Sequence, residues 1–188
     1  MRTEYKFNPE GGGCYFVSFA TVFWVDVFTR PAYKEILLDS IRFCQKEKGL
    51  ILHAWCIMTS HVHLIFGIPE GINPSFVLRD LKKFTSAEIR KAIQNNPEES
   101  RREWMLRIFK WAGKHNSNNT HYQFWQQDNH PIVLRTSKVT GQKLQYVHNN
   151  PVVEQIVTYP EEYLYSSARD YSQQKGLLDV EIILLMPI

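Results

Sequence analysis

Hydrophobic and polar positions form blocks along the chain that predict strands and helices in turn. Segments rich in β-branched and aromatic residues, or apolar at every position, indicate strands, whereas apolar residues spaced three and four apart indicate helices. Asn-Pro pairs at 73–74 and 96–97 mark two helix starts, because asparagine caps a helix and proline fits its first turn. In chain order the predicted elements are strand 14–28, which could bend near Trp24, helix 31–48, strands 50–58 and 61–66, helices 74–94 and 97–112, extended segment 124–134 and helix 138–149.

The order strand, helix, hairpin, helix, strand is typical of a ferredoxin-like α+β fold. In such a fold an antiparallel sheet has helices packed on one face. A chain of 188 residues is long enough for one domain with a substantial core. We therefore expect a single domain over residues 1–188, with an irregular tail after residue 159.

Composition excludes several classes of protein. Hydrophobic residues make up 44% and charged residues 22%, which are ordinary values for a globular chain and not for a disordered or fibrous one. No run approaches the roughly 18 apolar residues of a membrane helix, and residues 1–13 lack the apolar stretch of a secretory signal. Three cysteines without a CxxC pair argue against a disulfide framework, so we expect a cytoplasmic protein.

The sharpest local feature is the triplet His61-Val62-His63 on a predicted strand. Residues two apart on a strand point to the same face, so both imidazoles could bind one cation while Val62 packs on the other side. The alternative is that the two histidines are only polar residues on an exposed strand face. The triplet by itself is weak evidence for a metal site.

Tyr146 and Asn150 lie four residues apart near the end of a predicted helix. Residues at this spacing share a helix face, so a phenol nucleophile and an amide metal ligand could act together. Two other interpretations stay open. Tyr146 could be a core aromatic, and Asn150 could cap a new helix that begins at Pro151, because the residue before a proline disfavours helical geometry.

The predicted helix 74–94 carries a stripe of positive charge. Its members are Arg79, Lys82, Lys83 and Arg90, with Ser86 between them. Cations at this spacing can follow the phosphates of a nucleic acid, although such a stripe is more often a solvated face. The net charge of +3 permits a nucleic-acid partner without requiring one.

Several of these motifs together resemble one family. The segments that carry the resemblance are 57–64 (IMTSHVHL), 124–126 (FWQ), 144–152 (LQYVHNNPV), 159–163 (YPEEY) and 165–171 (YSSARDY). They occur in the same order in the HUH-type single-tyrosine transposases, especially the REP-associated (repetitive extragenic palindrome) tyrosine transposases of bacteria. The resemblance spans residues 14–171.

The resemblance implies an enzyme that cleaves and rejoins single-stranded or hairpin DNA. By this analogy Tyr146 is the nucleophile that forms a 5′-phosphotyrosine link, and His61 and His63 bind a divalent metal, Mg²⁺ or Mn²⁺. Asn150 is then the third ligand. The stripe of Arg79, Lys82, Lys83 and Arg90, which its spacing alone suggests, would be a candidate surface for contacts with that DNA. The family includes dimers and chains that act alone, so a homodimer stays open.

The chain departs from the family pattern in three places. Thr59-Ser60 stands where the family commonly has Pro-Asn, and Asn150 stands where mobile-element members usually carry glutamine. Residues 97–112 resemble an added helical segment. Two other functions compete with this one. A histidine-based phosphoesterase is disfavoured, because Ile65 stands where a third histidine would be needed, and a DNA-binding module that has lost cleavage is the remaining alternative.

Overall fold

The computed structural model describes residues 6–116, 121–127 and 131–184. Three short 3₁₀ turns, Val22–Trp24, Val27–Thr29 and Pro160–Glu162, accompany the main elements. Those elements are β1 (Gly13–Ala20), α1 (Pro31–Glu47), β2 (Ile51–Ile57), β3 (His61–Ile68), α2 (Pro74–Asn95), α3 (Arg102–Lys114), β4 (Ile132–Val133), α4 (Ser137–Val153) and α5 (Ala168–Tyr171). None of the helices in these ranges is both long and apolar enough to cross a membrane.

The four strands form one antiparallel sheet in the order β2-β3-β1-β4. The predicted hairpin is confirmed: the chain turns at Thr59-Ser60, and the Met58 N–H donates to the His61 carbonyl at 2.8 Å. In the predicted extended segment 124–134, Trp125 bridges to Thr21 and β4 pairs with β1. Residues 128–130 of that segment lie outside the described residues. The α+β class and the antiparallel sheet agree with the prediction.

Helices cover both faces of this sheet. On one face α1, α2 and α3 pack against side chains such as Val17 and Leu64. On the other face α4 places Leu144 and Val147 against Ile65 and its neighbours. The predicted packing on one face therefore holds for α1–α3 and not for α4. The reason lies in β2 and β3, which carry apolar side chains on both faces of the sheet. Both faces therefore have to be covered by other elements.

Helix bounds differ from the prediction at two proline sites. Helix α3 begins at Arg102 and not at residue 97, because the chain between the two helices makes turns. Helix α4 continues through Pro151 to Val153, where the sequence left open a new helix. Since Pro151 lies in the last turn, its missing N–H removes only one helical hydrogen bond there. The tail after residue 159 runs beside β2 and makes isolated backbone hydrogen bonds to it. One of them is donated by the Ser167 N–H to the Trp55 carbonyl at 2.9 Å.

A buried carboxylate ties the start of α1 to the connection between α2 and α3. The Glu99 side chain is fully buried and accepts hydrogen bonds from Arg30 at 2.7 Å and Arg101 at 3.2 Å. The Tyr33 hydroxyl donates to the same carboxylate at 3.3 Å. Burial alone would raise the pKa of Glu99, but the hydrogen bonds from Arg101 and Arg30 outweigh it and lower the pKa.

Replacing Glu99 with glutamine is expected to destabilise the protein by about 1–3 kcal/mol at neutral pH, because two arginines lose a buried charged partner. Urea unfolding measures the change, and Glu98→Gln, at an exposed neighbouring position, serves as the matched control. Since the pKa of Glu99 is lowered in the folded state, its contribution is fully present above the unfolded pKa of about 4.3, decreases as the pH falls below that value and is lost once the pH has fallen through the folded pKa. An equal loss of stability at pH 3 and pH 7 would contradict this account.

Candidate active site

His61 and His63 lie on the face of β3 that α4 covers. Their ring centroids are 4.8 Å apart, as the two-residue period of a strand predicts. His63 is only 1% exposed and stacks on Phe16 at a centroid distance of 5.9 Å. Neither ring nitrogen of His63 has a hydrogen-bond partner among the described residues, although both are buried. A buried donor or acceptor without a partner is costly, so this imidazole is suited to a ligand.

Helix α4 brings Tyr146 and Asn150 to the same place. The continuous helix keeps the two residues on one face, and the Asn150 Oδ1 lies 3.3 Å from the His61 Nε2. The Tyr146 ring meets the His63 ring edge-on at a centroid distance of 5.1 Å. Tyr146 is 48% exposed, so it is not the core aromatic that the sequence left open. The structure thus places all four predicted catalytic and metal residues together.

A cleft of about 300 Å³ holds these side chains between β3 and α4. Its lining residues are Ser18, Trp24, His61, His63, Tyr146, Asn149, Asn150, Val153 and Glu154. The cleft is thus bordered by the Tyr146 phenol, by nitrogen and oxygen donors and by the exposed ring of Trp24. His148 points elsewhere, with its Nε2 2.9 Å from the Ser167 Oγ, as expected for a residue two positions from Tyr146.

Burial favours the neutral form of both imidazoles. It lowers the pKa of His61, and burial together with the neighbouring His61 ring lowers the pKa of His63 to about 3. A neutral imidazole has a free nitrogen lone pair, which is the form that binds a metal. Lys143 adds positive charge beside the phenol, with its Nζ 5.3 Å from the centre of the Tyr146 ring and 4.7 Å from that of Phe16.

The residues present fit a divalent cation. The two imidazoles and the Asn150 amide oxygen supply nitrogen and oxygen donors. A metal ion would also give a ring nitrogen of His63 the partner that it lacks among the described residues. Within the described ranges no three histidines, cysteines or acids cluster in a way that could hold a metal, and the third donor beside the two imidazoles is the Asn150 amide oxygen. A mixed imidazole and amide set accepts Mn²⁺ or Mg²⁺.

The predicted DNA-binding cations lie on the opposite face of the sheet, because α2 packs there. Three of these cations also contact other groups of the protein. Arg79 pairs with Asp80 at 2.9 Å, the Lys82 Nζ donates to the Gln126 carbonyl at 3.1 Å, and Arg90 lies over the Tyr122 ring at 4.5 Å. Lys83 is exposed. The structure therefore does not bring this stripe to the tyrosine, and its contact with DNA stays a prediction.

Among the residues in or beside the cleft that the sequence did not single out, three carry a charge or a large aromatic ring. Lys143 and Glu154 could have been found by extending the helical spacing, since they lie three residues before Tyr146 and four after Asn150. Trp24 had no such spacing signal, although the sequence suggested a bend near it in the predicted strand 14–28. It reaches the cleft because the chain leaves β1 at Ala20 and turns there, so the strand ends instead of only bending.

The chain is similar to known proteins in sequence and in fold. A family model described as "Transposase IS200 like" matches residues 19–119. The structure of a REP-associated tyrosine transposase bound to a REP hairpin has a TM-score of 0.64 at 18% identity, over 100% of this chain and 98% of that one. A Deinococcus radiodurans protein classed as a transposase has a TM-score of 0.41 at 18% identity, over 72% and 88% of the two chains. No curated protein matches significantly. At 18% identity the first structure shows a shared fold.

Proposed function

Because the chain belongs to the IS200-like transposase family, whose model matches more than half of it, we propose that it cleaves and rejoins single-stranded, hairpin-containing DNA through a covalent bond to Tyr146. The observation that carries the proposal is the meeting of an exposed phenol with two histidines and an amide in one cleft. The hairpin in the structure with the same fold supports this substrate class. His61, His63 and Asn150 would hold the divalent metal, Mg²⁺ or Mn²⁺.

In the proposed reaction the Tyr146 oxygen attacks the scissile phosphorus. A phosphotyrosine bond forms at the 5′ side, the bond from phosphorus to the 3′ oxygen breaks, and the phenol proton is lost while the departing oxygen is protonated to a 3′-hydroxyl. A phenol with a pKa near 10 is a weak nucleophile at neutral pH, so nearby positive charge helps it, and Lys143 supplies such charge. A bound metal would polarise the phosphate oxygens. The covalent bond conserves the energy of the phosphodiester, so rejoining is the same step reversed.

A denaturing gel tests the proposal. The wild-type protein is mixed with labelled DNA hairpins that carry single-stranded flanks, taken from the sequence beside its own gene, with Mn²⁺, with Mg²⁺ or with EDTA. A shifted band that survives denaturation and needs the metal is the expected result. Retention of the hairpin in a native gel without any covalent band would instead identify a binding module that has lost cleavage.

The stripe on α2 provides a separate prediction. Reversing the charge of Arg79, Lys82 and Lys83 to glutamate is expected to weaken hairpin binding and to flatten the dependence of log Kd on log salt by roughly one unit for each phosphate that the protein no longer neutralises. Titrations between 50 mM and 200 mM salt measure the slope. Because Lys82 also bonds to the Gln126 carbonyl, thermal unfolding of the variant has to be compared first. An unchanged slope would remove α2 from the DNA surface.

A further inference from the structure

A second groove adjoins the candidate active site. It has a volume of about 800 Å³ and is walled by three large aromatic side chains. Phe23, Trp24 and Trp111 are 58%, 59% and 52% exposed, respectively. Phe23 and Trp111 lie 5.5 Å apart between ring centroids, so the rings border one continuous surface. Aromatic side chains of this size are ordinarily buried, and a group of exposed ones marks a binding surface.

The backbone that presents two of these rings is strained. Phe23 and Trp24 have φ angles of 53° and 56°, a left-handed conformation that is rare for bulky residues. The surrounding framework holds the turn. The Thr21 N–H donates to the Ser60 carbonyl at 2.9 Å, and the Val22 N–H donates to the Phe124 carbonyl at 2.8 Å. Strain that the fold maintains in order to expose two aromatic rings is typical of a functional site.

Trp24 connects the groove to the active site. Its side chain lines both the groove and the cleft that contains Tyr146, and its ring lies edge-on to His61 at a centroid distance of 5.4 Å. A DNA strand whose phosphate lies at Tyr146 therefore has its neighbouring nucleotides within reach of the aromatic surface.

Helix α3 supplies positive charge around the third ring. Arg107, Lys110 and Lys114 are exposed, and Arg107 and Lys114 share a helix face with Trp111 because they lie four before and three after it. Cations that alternate with exposed aromatics are the pattern of surfaces that bind single-stranded nucleic acid, where the cations follow phosphates and the rings stack on bases.

We propose that Phe23, Trp24 and Trp111 form a stacking platform for unpaired bases of the DNA strand that enters the Tyr146 cleft. The proposal rests on the proposed function for its substrate, and it adds the part of the protein that binds the bases. Stacking tolerates any base, because every base has an aromatic face. The platform therefore binds unpaired DNA of arbitrary sequence and leaves hairpin recognition to other residues.

The test compares two ten-nucleotide probes that carry the same number of phosphates, oligothymidylate and an abasic strand. Fluorescence anisotropy in EDTA measures affinity without cleavage. The wild-type protein is expected to bind oligothymidylate at least about fivefold more tightly than the abasic strand, and Trp24→Ala or Trp111→Ala is expected to remove most of that preference. Trp111→Phe keeps a stacking ring and is expected to restore part of it.

Trp104→Ala is the matched control. Trp104 lies on α3 and is 48% exposed, but it does not line the groove, so its removal should leave the preference unchanged. Equal affinity of the wild-type protein for the two probes, or an equal loss in the Trp104 and Trp111 variants, would overturn the platform. The covalent band at Tyr146 is scored separately. If the base preference is absent but the covalent band forms, the platform is wrong and the proposed function stands. If the base preference is present but no band forms, the platform stands and the proposed function is wrong.

Discussion

Tyr146→Phe is expected to lower covalent adduct formation at least about 1,000-fold, to below detection on a gel, while hairpin affinity stays within about twofold of wild type. The substitution removes only the nucleophilic oxygen. The ring keeps its contacts with Phe16 and His63, whose centroids lie 5.9 Å and 5.1 Å away. Since Tyr146 is half exposed, the loss of its hydroxyl should leave the fold intact.

Tyr159→Phe is the matched control for this experiment. Tyr159 is also exposed but does not line the cleft, so its adduct yield should equal that of the wild type. Both variants are compared by denaturing gel for the adduct and by native gel for binding. An adduct that persists in the Tyr146 variant would assign the nucleophile to another residue, whereas loss of binding together with the adduct would indicate that the phenol contacts DNA before reaction.

His63→Leu is expected to abolish the stabilisation of the protein by Mn²⁺ and, with it, metal-dependent cleavage. If Mn²⁺ binds the folded wild type at 100 times its Kd, it adds about 2.7 kcal/mol of stability, which corresponds to a rise in Tm of roughly 5–10 °C. The leucine has similar bulk but offers no nitrogen. It also removes two buried nitrogens that have no partner among the described residues, so without metal the variant should be about as stable as wild type.

Differential scanning fluorimetry with a Mn²⁺ titration measures both quantities. His148→Ala is the control with the opposite pattern, because His148 is buried and bonded to Ser167 away from the cleft. That variant should have a lower Tm without metal and an unchanged rise on adding Mn²⁺. A full Mn²⁺ response in His63→Leu would place the metal outside this pair of histidines.

The side-chain repeats of strands and helices determined much of the candidate site. A strand alternates its side chains, so His61 and His63 had to share a face once β3 was recognised, and a helix repeats near four residues, so Tyr146 and Asn150 had to share another. The hairpin at Thr59-Ser60 and the α2 start at Asn73, whose side chain accepts from the Ser75 N–H at 2.9 Å, follow from equally local signals. These relations involve neighbours in sequence and need no knowledge of the rest of the fold.

Contacts between distant segments were decided only by the tertiary structure. The sequence did not place α4 on the histidine face of the sheet, and it left open whether the chain would break at Pro151. Glu99 is similar: it lies just after the Asn-Pro pair that predicted a helix start, but packing buried it against Arg30, which lies 69 residues away in sequence. Such burial depends on the shape of the assembled core and not on local propensity.

The same limit explains the surfaces around the site. The cations of α2 formed a clear stripe in the sequence. They lie away from Tyr146 because α2 packs on the face of the sheet opposite α4. The sequence suggested a bend near Trp24 but not its place beside the cleft, because the left-handed turn that exposes it is held by hydrogen bonds from Thr21 and Val22 to residues of other segments. The sequence by itself determined which residues share a strand or helix face. Only the tertiary structure decided which faces meet, because that depends on long-range packing of a core that covers both sides of the sheet.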